Sequence, residues 1–310
     1  MTRRQLLLAL AACAACALLP LVVQKDYQLN VLFRIFLFAA LGLAWNLVGG
    51  FTGQLSLGHA AFFGIGAYGL ALFHGKLGVP VWPALALAVA AAVVASVLIG
   101  GVAFRLRGPY FALATIAFAE VLRNVAKNLP DVTGGDVGVQ APPLFAGAIS
   151  RSFYFAAVGL TACSLAVTAW AARSRFGYYL MAIRENEDTA LSVGVNATRS
   201  KVSVLAISAA LTAVGGALYA SLFLYIVPDQ VLAIDISNEI AIVAMLGGAG
   251  TVLGPIVGAI ILETASEVFK NVFHEAHLLI YGVLILLVVL FLPEGIVGAL
   301  KTLRRRRGKG

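Results

Sequence analysis

Long apolar runs, rather than alternating polar and apolar positions, dominate the sequence of this chain. Seven runs approach the roughly 20 residues that a helix needs to cross a bilayer: 6–23, 31–48, 81–104, 109–127, 153–172, 202–227 and 277–292. Two further apolar regions, 55–73 and 237–270, are interrupted by glycines, and we interpret them as one span and two short spans. Only helices and closed barrels satisfy their backbone in lipid, and barrel strands alternate. The pattern therefore predicts an all-α, polytopic membrane bundle of about ten spans (range about 8–10), with broken or short helices near 46–66 and 237–258.

Composition supports a membrane protein. Of the 310 residues, 61% are hydrophobic and 12% are charged, whereas soluble domains carry about 25% charged residues. The formal net charge of +8 does not indicate nucleic-acid binding, because six of the basic residues lie in the tail 301–310. We interpret this tail as a topology signal that contacts anionic lipid, following a single transmembrane domain over 1–300. The three cysteines lie in apolar runs without metal-ligand spacing, so we expect no metal site.

The distribution of basic residues predicts the orientation. Ten crossings place both termini on the same side of the membrane, and cytoplasmic segments are enriched in Lys and Arg. With both termini in the cytoplasm, the inner segments hold fifteen of the 22 basic residues. The start of the chain also resembles a lipoprotein signal peptide, with a small-residue motif before Cys13. Its apolar run continues to Val23, so we interpret it as the first span.

Two connecting segments are longer than minimal loops. In the inner segment 173–201, a charged run is followed by apolar residues and then by Gly194, which predicts one or two short amphipathic helices at the cytoplasmic surface. Its length favours a protein contact over an ordinary solvated loop. The outer loop 128–150 contains four glycines and two consecutive prolines. A soluble partner could dock there, and a plain surface loop is an equally good interpretation.

Polar and glycine residues cluster within the membrane between Asn46 and Gly66. Repeated glycines weaken the helix, and hydrogen-bonding side chains lie within or beside the hydrocarbon. Unwound backbone at this depth is tolerated where it is buried in protein or lines an aqueous cavity. This stretch is our candidate for a translocation pathway, and close helix packing is the equally weighted alternative. A second glycine-rich break is predicted near 247–255.

The chain carries few acidic residues in its apolar runs. Glu120 has Arg123 three residues later, which predicts an ion pair along one helix. Glu263 and Glu267 share one helix face and receive no assigned role. Neither a Gly-x-Ser-x-Gly motif nor a phosphate-binding Gly-x-x-x-x-Gly-Lys-Ser/Thr loop occurs in the sequence. We expect no enzyme activity and no bound cofactor in this chain.

Several segments in the same order resemble one family of transport proteins. The match is strongest over 53–68, which begins Gly-Gln-Leu-Ser-Leu-Gly-His, and continues at 106–115, 133–136, 182–188 and 247–251. This pattern is similar to the permease subunits of branched-chain amino acid ABC importers, and in particular to their LivM type. The resemblance covers nearly the whole chain. It implies a bacterial inner-membrane importer in which two related permeases form the pore, two ATPase subunits bind ATP and Mg, and a periplasmic binding protein delivers the amino acid.

The resemblance also implies roles for particular residues. Residues 188–194 resemble the Glu-Ala-Ala-x-x-x-Gly coupling element of ABC importers, with Asp188 and Thr189 in place of Glu and the first Ala. The candidate coupling residues are Arg184, Glu185, Asn186, Glu187, Asp188, Thr189, Ala190 and Gly194. The candidate pathway residues are Asn46, Gly53, Gln54, Ser56, Gly58 and His59. The candidate residues for docking the binding protein are Thr133, Gly134, Gly135 and Asp136.

The cargo stays open at this stage. Leucine, isoleucine and valine are the expected substrates, and related permeases for urea, short amides or other amino acids form the nearest alternative. An autonomous secondary carrier or channel is the alternative of a different class, because broken helices and the missing ATPase motif fit that class too.

Overall fold

The computed structural model describes residues 25–106, 108–145, 149–272, 282 and 295–298. The first predicted span, 6–23, lies outside these residues, as do the tail 301–310 and, apart from Gly282, the last predicted span, 277–292. The predicted number of ten spans and the predicted cytoplasmic position of both termini therefore stay predictions.

Within the described residues the chain is almost entirely helical. Its helices are α1 Asp26–Thr52, α2 His59–Gly75, α3 Val81–Ala103, α4 Pro109–Lys127, α5 Pro130–Thr133, α6 Ile149–Arg173, α7 Arg175–Glu185, α8 Glu187–Ser192, α9 Ala197–Phe223, α10 Pro228–Val231, α11 Ile234–Gly247 and α12 Gly254–Val272. Two short strands, β1 Val139–Gln140 and β2 Tyr225–Ile226, pair in antiparallel register, with Val139 opposite Ile226.

Five stretches are long and apolar enough to cross a membrane: Asp26–Thr52, Val81–Ala103, Ser150–Arg173, Ala197–Phe223 and Pro228–Gly247. They correspond to α1, α3, most of α6, α9, and α10 together with α11. The prediction of a helical, multi-pass membrane bundle is confirmed at this level.

Helix α1 lies at the centre of the bundle. In its most apolar window 78% of the residues are buried, compared with 22% for α3. It packs against α6, α9, α11 and α12. Helix α3 instead buries one narrow stripe of small residues against α2 and α9, consisting of Ala84, Ala88, Ala92, Ser96, Gly100 and Ala103. Small residues let helices approach closely in a membrane, and the other faces of α3 are left for lipid or a partner.

The bundle has two ends that the sequence distinguishes. Helix α7 lies beside the C-terminal end of α1, and α8 follows it and packs against α7 and α9. We call this the inner end because the sequence predicts it to be cytoplasmic. The β-pair and α10 lie beside the C-terminal end of α4, and we call this the outer end.

The predicted breaks are present but shorter than expected. Helix α1 continues through Asn46 to Thr52 and ends at Gly53, which has a left-handed φ of 70°. The first break is therefore the six residues 53–58, and the second is 248–253, between α11 and α12. Gly49 and Gly50 lie within α1. Glycine at position 50 allows a close contact, because an added Cβ there would lie 2.5 Å from the backbone nitrogen of Gly250. The break predicted near 46–66 is therefore confined to 53–58, and the glycines at 49 and 50 permit close contact instead.

Two other boundaries also differ from the sequence reading. The predicted inner segment extends to Lys201. In the structure, Asn196 caps α9 by accepting a hydrogen bond from the Arg199 nitrogen, so residues 197–201 belong to the helix. The span that the sequence predicts to end at 227 ends at Phe223, because Leu224 adopts a left-handed φ of 59° and the chain turns into β2.

Candidate functional site

The first break lets α2 begin inside the bundle rather than at its inner end. His59, the first residue of α2, contacts Ser208, which is the twelfth residue of the 27-residue helix α9. At about 1.5 Å per residue, this contact lies about 17 Å along α9. The break is held on three sides. Trp45 Nε1 donates to the Ser56 carbonyl (2.7 Å), the Leu57 nitrogen donates to Thr115 Oγ1 (3.1 Å), and the Ala60 nitrogen donates to Ser237 Oγ (2.8 Å).

His59 is fully buried and both of its ring nitrogens have partners. Nδ1 lies 3.1 Å from Ser56 Oγ, and Nε2 lies 2.9 Å from Ser208 Oγ. The Ser208 hydroxyl donates its one hydrogen to the Ala44 carbonyl (2.7 Å), so it must accept from Nε2. In the neutral imidazole, Ser56 therefore donates to Nδ1. His59 thus joins α1, α2 and α9 through satisfied hydrogen bonds.

The other candidate pathway residues differ in exposure. Gly53 and Leu55 are exposed, Ser56 is buried, and Gln54 is half-buried. The Oε1 atom of Gln54 is buried and has no hydrogen-bond partner among the described residues. Gly58 permits close packing on α4, because an added Cβ would lie 2.7 Å from the Thr115 carbonyl oxygen. Gln54 therefore has an unused polar atom, whereas His59 has none.

Asn46 joins α1 to the second break. Its side chain is fully buried, donates from Nδ2 to the Thr251 carbonyl (2.8 Å) and accepts at Oδ1 from the Gly250 nitrogen (2.7 Å). One amide thereby satisfies two backbone groups in the second break. The sequence singled out both breaks, and the structure brings them together across α1.

Arg184 connects this junction to the inner segment. Its Nη1 donates to the Gly50 carbonyl (2.6 Å), and an added Cβ on Gly250 would lie 2.5 Å from the same nitrogen. An added Cβ on Gly53 would lie 3.0 Å from Arg184 Cγ. The last turn of α7 therefore contacts the end of α1 and the second break. The glycines at 50, 53 and 250 were the sequence signal for this contact, but the sequence alone does not say what approaches them.

The predicted short helices of the inner segment are confirmed as α7 and α8. Ser174 caps α7 and Asn186 caps α8, each by accepting a hydrogen bond from a backbone nitrogen three residues later. Helix α8 ends at Ser192, and the predicted C-terminal glycine, Gly194, follows it with a φ of 88°. The Gly194 nitrogen donates to the Leu191 carbonyl and the Val195 nitrogen donates to the Ala190 carbonyl, both at 3.0 Å. This pair of bonds is a Schellman motif, which fixes the exit of the chain from α8.

A buried ion pair fastens α8 to α9. Lys201 has 1% of its side chain exposed, and its Nζ lies 2.7 Å from Glu187 Oε2. The same ammonium lies 5.8 Å from the centre of the Phe104 ring, at the end of α3. A buried charge of this kind is costly without its partner. Sequence reasoning placed Glu187 in the coupling element but counted Lys201 only as a topology signal, because the two lie 14 positions apart.

Helix α8 and the turn after it present apolar side chains at the inner end. Leu191 is 47% exposed and Val193 is 75% exposed, whereas Ala190 is buried against Ile183 and Ala197. A cavity of about 350 Å³ adjoins this turn and is lined by Phe176, Tyr179, Val193, Asn196, Arg199 and Ser203. Clustered apolar surface outside a membrane is typical of a protein contact. The exposed members of the predicted coupling set are Arg184, Glu185, Asn186, Asp188, Thr189 and Gly194.

The candidate docking loop is held at the outer end by polar contacts. Thr133 is buried and its hydroxyl donates to the Leu129 carbonyl (2.8 Å), while Gly134 and Gly135 follow it with φ values of 73° and 59°. Asp136 is the exposed residue of the set, with 79% of its side chain accessible, and it lies 3.8 Å from Lys127 Nζ.

Ion pairs fix α4 to α10 beside this loop. The predicted Glu120–Arg123 pair is confirmed at 2.6 Å. Arg123 and Lys127 also reach Asp229 of α10, at 3.3 and 2.8 Å. The outer end is therefore held by charges as well as by the β-pair.

Known transport proteins of one family are similar to this chain. The family model described as "Branched-chain amino acid transport system / permease component" matches residues 27–289. The high-affinity branched-chain amino acid transport system permease protein LivM of Salmonella typhimurium is 30% identical over 96% of this chain and 76% of its own length, and that of Escherichia coli is 29% identical over the same shares. The permease protein LivH of Salmonella typhimurium is 24% identical over 84% of this chain and 91% of its own length. No solved structure gave a significant match.

Proposed function

This chain belongs to the branched-chain amino acid transport system permease family, and we propose that it is the membrane-spanning subunit of an ATP-driven importer for leucine, isoleucine and valine. The proposed permease domain covers residues 1–300, with a coupling segment at 173–201, a periplasmic loop at 128–150 and a basic cytoplasmic tail at 301–310. The proposed location is the bacterial inner membrane. The names of the LivM and LivH relatives support the cargo class.

The observation that carries this proposal is the attachment of the exposed helix α8 to the bundle. An ATPase can drive transport only if the element that it contacts is attached to the spanning helices, so that movement of this element also moves them. Helix α8 offers Leu191, with Val193 beside it, to a partner. The Glu187–Lys201 pair transmits its displacement to α9.

A second connection runs from α7 to α1. Arg184 holds the Gly50 carbonyl, and Asn46 links the same part of α1 to the second break. Displacement of the inner segment therefore acts on α1, α9 and the turn between α11 and α12 together. Such rigid-body movement of packed helices is a known way to alternate access between two sides of a membrane.

The proposed pathway passes the first break. Gln54 is its best candidate contact, since its buried Oε1 is unpaired within the described residues and its neighbours Gly53 and Leu55 are exposed. Asn46, Ser56, Gly58 and His59 are proposed to shape the pathway by holding the break in place, because each already makes internal contacts.

Four kinds of partner complete the proposal. A second, LivH-like permease forms the pore with this chain, and two ATPase subunits bind ATP and Mg at the inner end. A periplasmic amino acid binding protein docks near Asp136, and lipid surrounds the spans. The chain itself performs no ATP hydrolysis and binds no cofactor.

Co-purification tests the assembly. The full-length chain is extracted from its native membrane in a gentle detergent, and the proteins that accompany it are identified. We expect a second apolar permease and ATPase subunits with phosphate-binding loops. Recovery of this chain alone, under conditions that keep other ABC importers intact, would support the autonomous carrier or channel instead.

Competition then tests the cargo. Labelled leucine uptake by the intact importer should fall when unlabelled isoleucine or valine is added, and should be unaffected by urea or acetamide. The reverse pattern would assign the chain to the urea and short-amide branch.

A further inference from the structure

Three charged side chains from three different helices meet inside the bundle. Arg34 is the ninth residue of α1, Glu239 the sixth of α11 and Glu263 the tenth of α12. Arg34 Nη2 lies 3.2 Å from Glu263 Oε2 and 3.7 Å from Glu239 Oε1. The proposed function assigns no role to this cluster.

The cluster holds one more negative charge than positive charge. One guanidinium faces two carboxyl groups, and Glu263 has 4% of its side chain exposed. Among the described residues, the other charged groups that act on the two carboxyl groups are Glu267 and Lys270 of α12, which have opposite signs and leave the balance unchanged. An unmatched charge in a membrane-spanning segment is expensive. The site therefore needs one more unit of positive charge.

The position of the two carboxyl groups indicates what supplies it. Both lie against the same atom, Arg34 Nη2, at 3.2 Å for Glu263 and 3.7 Å for Glu239. Two carboxylates that share one site repel each other, and a proton on one of them removes that repulsion. The Oε1 atom of Glu263 is buried and has no partner among the described residues. Since Arg34 already contacts both carboxyl groups, the missing positive charge must be small.

We propose that Glu239 and Glu263 bind one proton between them, so that the site contains one carboxylic acid, one carboxylate and the Arg34 guanidinium. In this state the site is neutral and holds α1, α11 and α12 together. The groups that face it are Tyr219 of α9, Glu267 and Lys270 of α12, and Tyr27 of α1, whose hydroxyl donates to Glu267. Loss of the proton leaves two carboxylates side by side and weakens the contact between α11 and α12, which flank the second break.

Infrared spectroscopy of the intact complex in lipid tests this proposal. The wild type should show the carbonyl band of a protonated carboxylic acid at neutral pH. Glu239→Gln and Glu263→Gln should each abolish that band, because the remaining carboxylate then pairs with Arg34. Glu120→Gln, which removes an ion-paired and more exposed carboxylate on α4, should leave it unchanged. Absence of the band in the wild type, or its persistence in both single variants, would overturn the proposal.

Thermal unfolding gives a second readout that does not depend on transport. The folded state keeps a proton that the unfolded chain releases at neutral pH, so the unfolding temperature of the wild type should fall as pH rises through the deprotonation of the pair. Each single Gln variant should lose this pH dependence and stay within a few degrees of the wild type at neutral pH. The double variant strands Arg34 and should unfold roughly 5–10 °C lower. The same pH dependence in wild type and single variants would contradict the proposal.

Discussion

At the residue scale, the polar side chains inside the bundle are explained by the contacts they make. Lys201 is one of the most deeply buried residues in the described chain, and its ammonium has Glu187 as its ionic partner. Asn46 and His59 each use both polar atoms of their side chains. These residues join elements far apart in sequence, and their replacement should alter the relation between elements.

The two partners of the buried ion pair should differ in their effect on stability. Glu187→Ala leaves the Lys201 ammonium buried without a counter-ion, which costs about 3–5 kcal/mol. Lys201→Met should cost less than half of that, because Glu187 is 23% exposed and can gain water. The double variant should recover much of the loss from Glu187→Ala. Thermal unfolding in detergent measures all three, and equal losses in the two single variants would contradict the buried pair.

Asn46→Ala should destabilise the contact between α1 and the second break. The substitution leaves the Gly250 nitrogen and the Thr251 carbonyl without their partner, at about 1–3 kcal/mol for each buried group that stays unsatisfied. The control is Asn124→Ala, since Asn124 is exposed on α4. Cleavage by an added protease within 248–253 should increase for Asn46→Ala only. Equal cleavage of both variants would show that Asn46 does not hold the second break.

The sequence predicts residue contacts only where they are local. Glu120 and Arg123 lie three positions apart on a helix, and their ion pair follows from that spacing. Asn46 and Gly250 lie 204 positions apart, so no local pattern reveals their bond. The same holds for His59 and Ser208, which lie 149 positions apart.

At the scale of elements, glycines set how closely helices approach. An added Cβ on Gly66 of α2 would lie 2.0 Å from the Ala213 carbonyl oxygen, and one on Gly216 of α9 would lie 1.9 Å from that of Phe63. Helices α2 and α9 therefore touch through their backbones. The sequence identified Gly66 as a candidate for close packing, and the structure confirms that use.

Gly66→Ala should force α2 away from α9. Overpacking of a tight contact costs about 1–3 kcal/mol, and the backbone on the other side cannot rotate away as a side chain can. Gly159→Ala is the matched control, because Gly159 also lies within a helix and a new Cβ there meets no atom within 4 Å. Its stability should stay equal or rise slightly, by up to about 1 kcal/mol. Similar unfolding temperatures for the two variants would contradict the close contact.

Helix α8 and its following turn should hold the ATPase through their exposed apolar side chains. Leu191→Asp or Val193→Asp should reduce the amount of ATPase that co-purifies with the chain several-fold, since a charge must be buried in the contact. Val137→Asp is the control. Val137 is as exposed as Val193, at 74% against 75%, but it lies at the opposite end of the bundle. Undiminished ATPase in both inner-end variants would place the coupling contact elsewhere.

The sequence predicted most elements but misjudged some of their ends. Hydropathy located α1, α3, α4, α6 and α9, because a run of apolar residues is a strong signal for a spanning helix. The predicted break near 46–66 started too early, because Gly49 and Gly50 weaken helix propensity. In the structure both glycines stay within α1, and Gly50 packs against Gly250. The two ends of α9 depended on Asn196 and Leu224, whose backbone geometry is not visible in hydropathy.

At the scale of the whole molecule, the contacts form one connected path from the inner end into the membrane. Helix α8 is tied to α9 by the Glu187–Lys201 pair, α7 is tied to α1 by Arg184, and α9 meets α2 through backbone contacts. Helix α1, at the centre, links these to α11 and α12. The sequence predicted a coupling segment and two breaks as separate features. Their connection depends on the tertiary fold.

The most direct test of the central claim is ATP-driven uptake of labelled leucine by the complete importer reconstituted in lipid vesicles with its binding protein. The account predicts that uptake requires ATP on the side of the membrane where the ATPase subunits lie. The double variant Glu187→Ala/Lys201→Met should retain ATP hydrolysis but lose most of the uptake, because α8 is no longer fastened to α9. Leucine uptake by this chain alone without ATP, or wild-type uptake per ATP hydrolysed in the double variant, would contradict it.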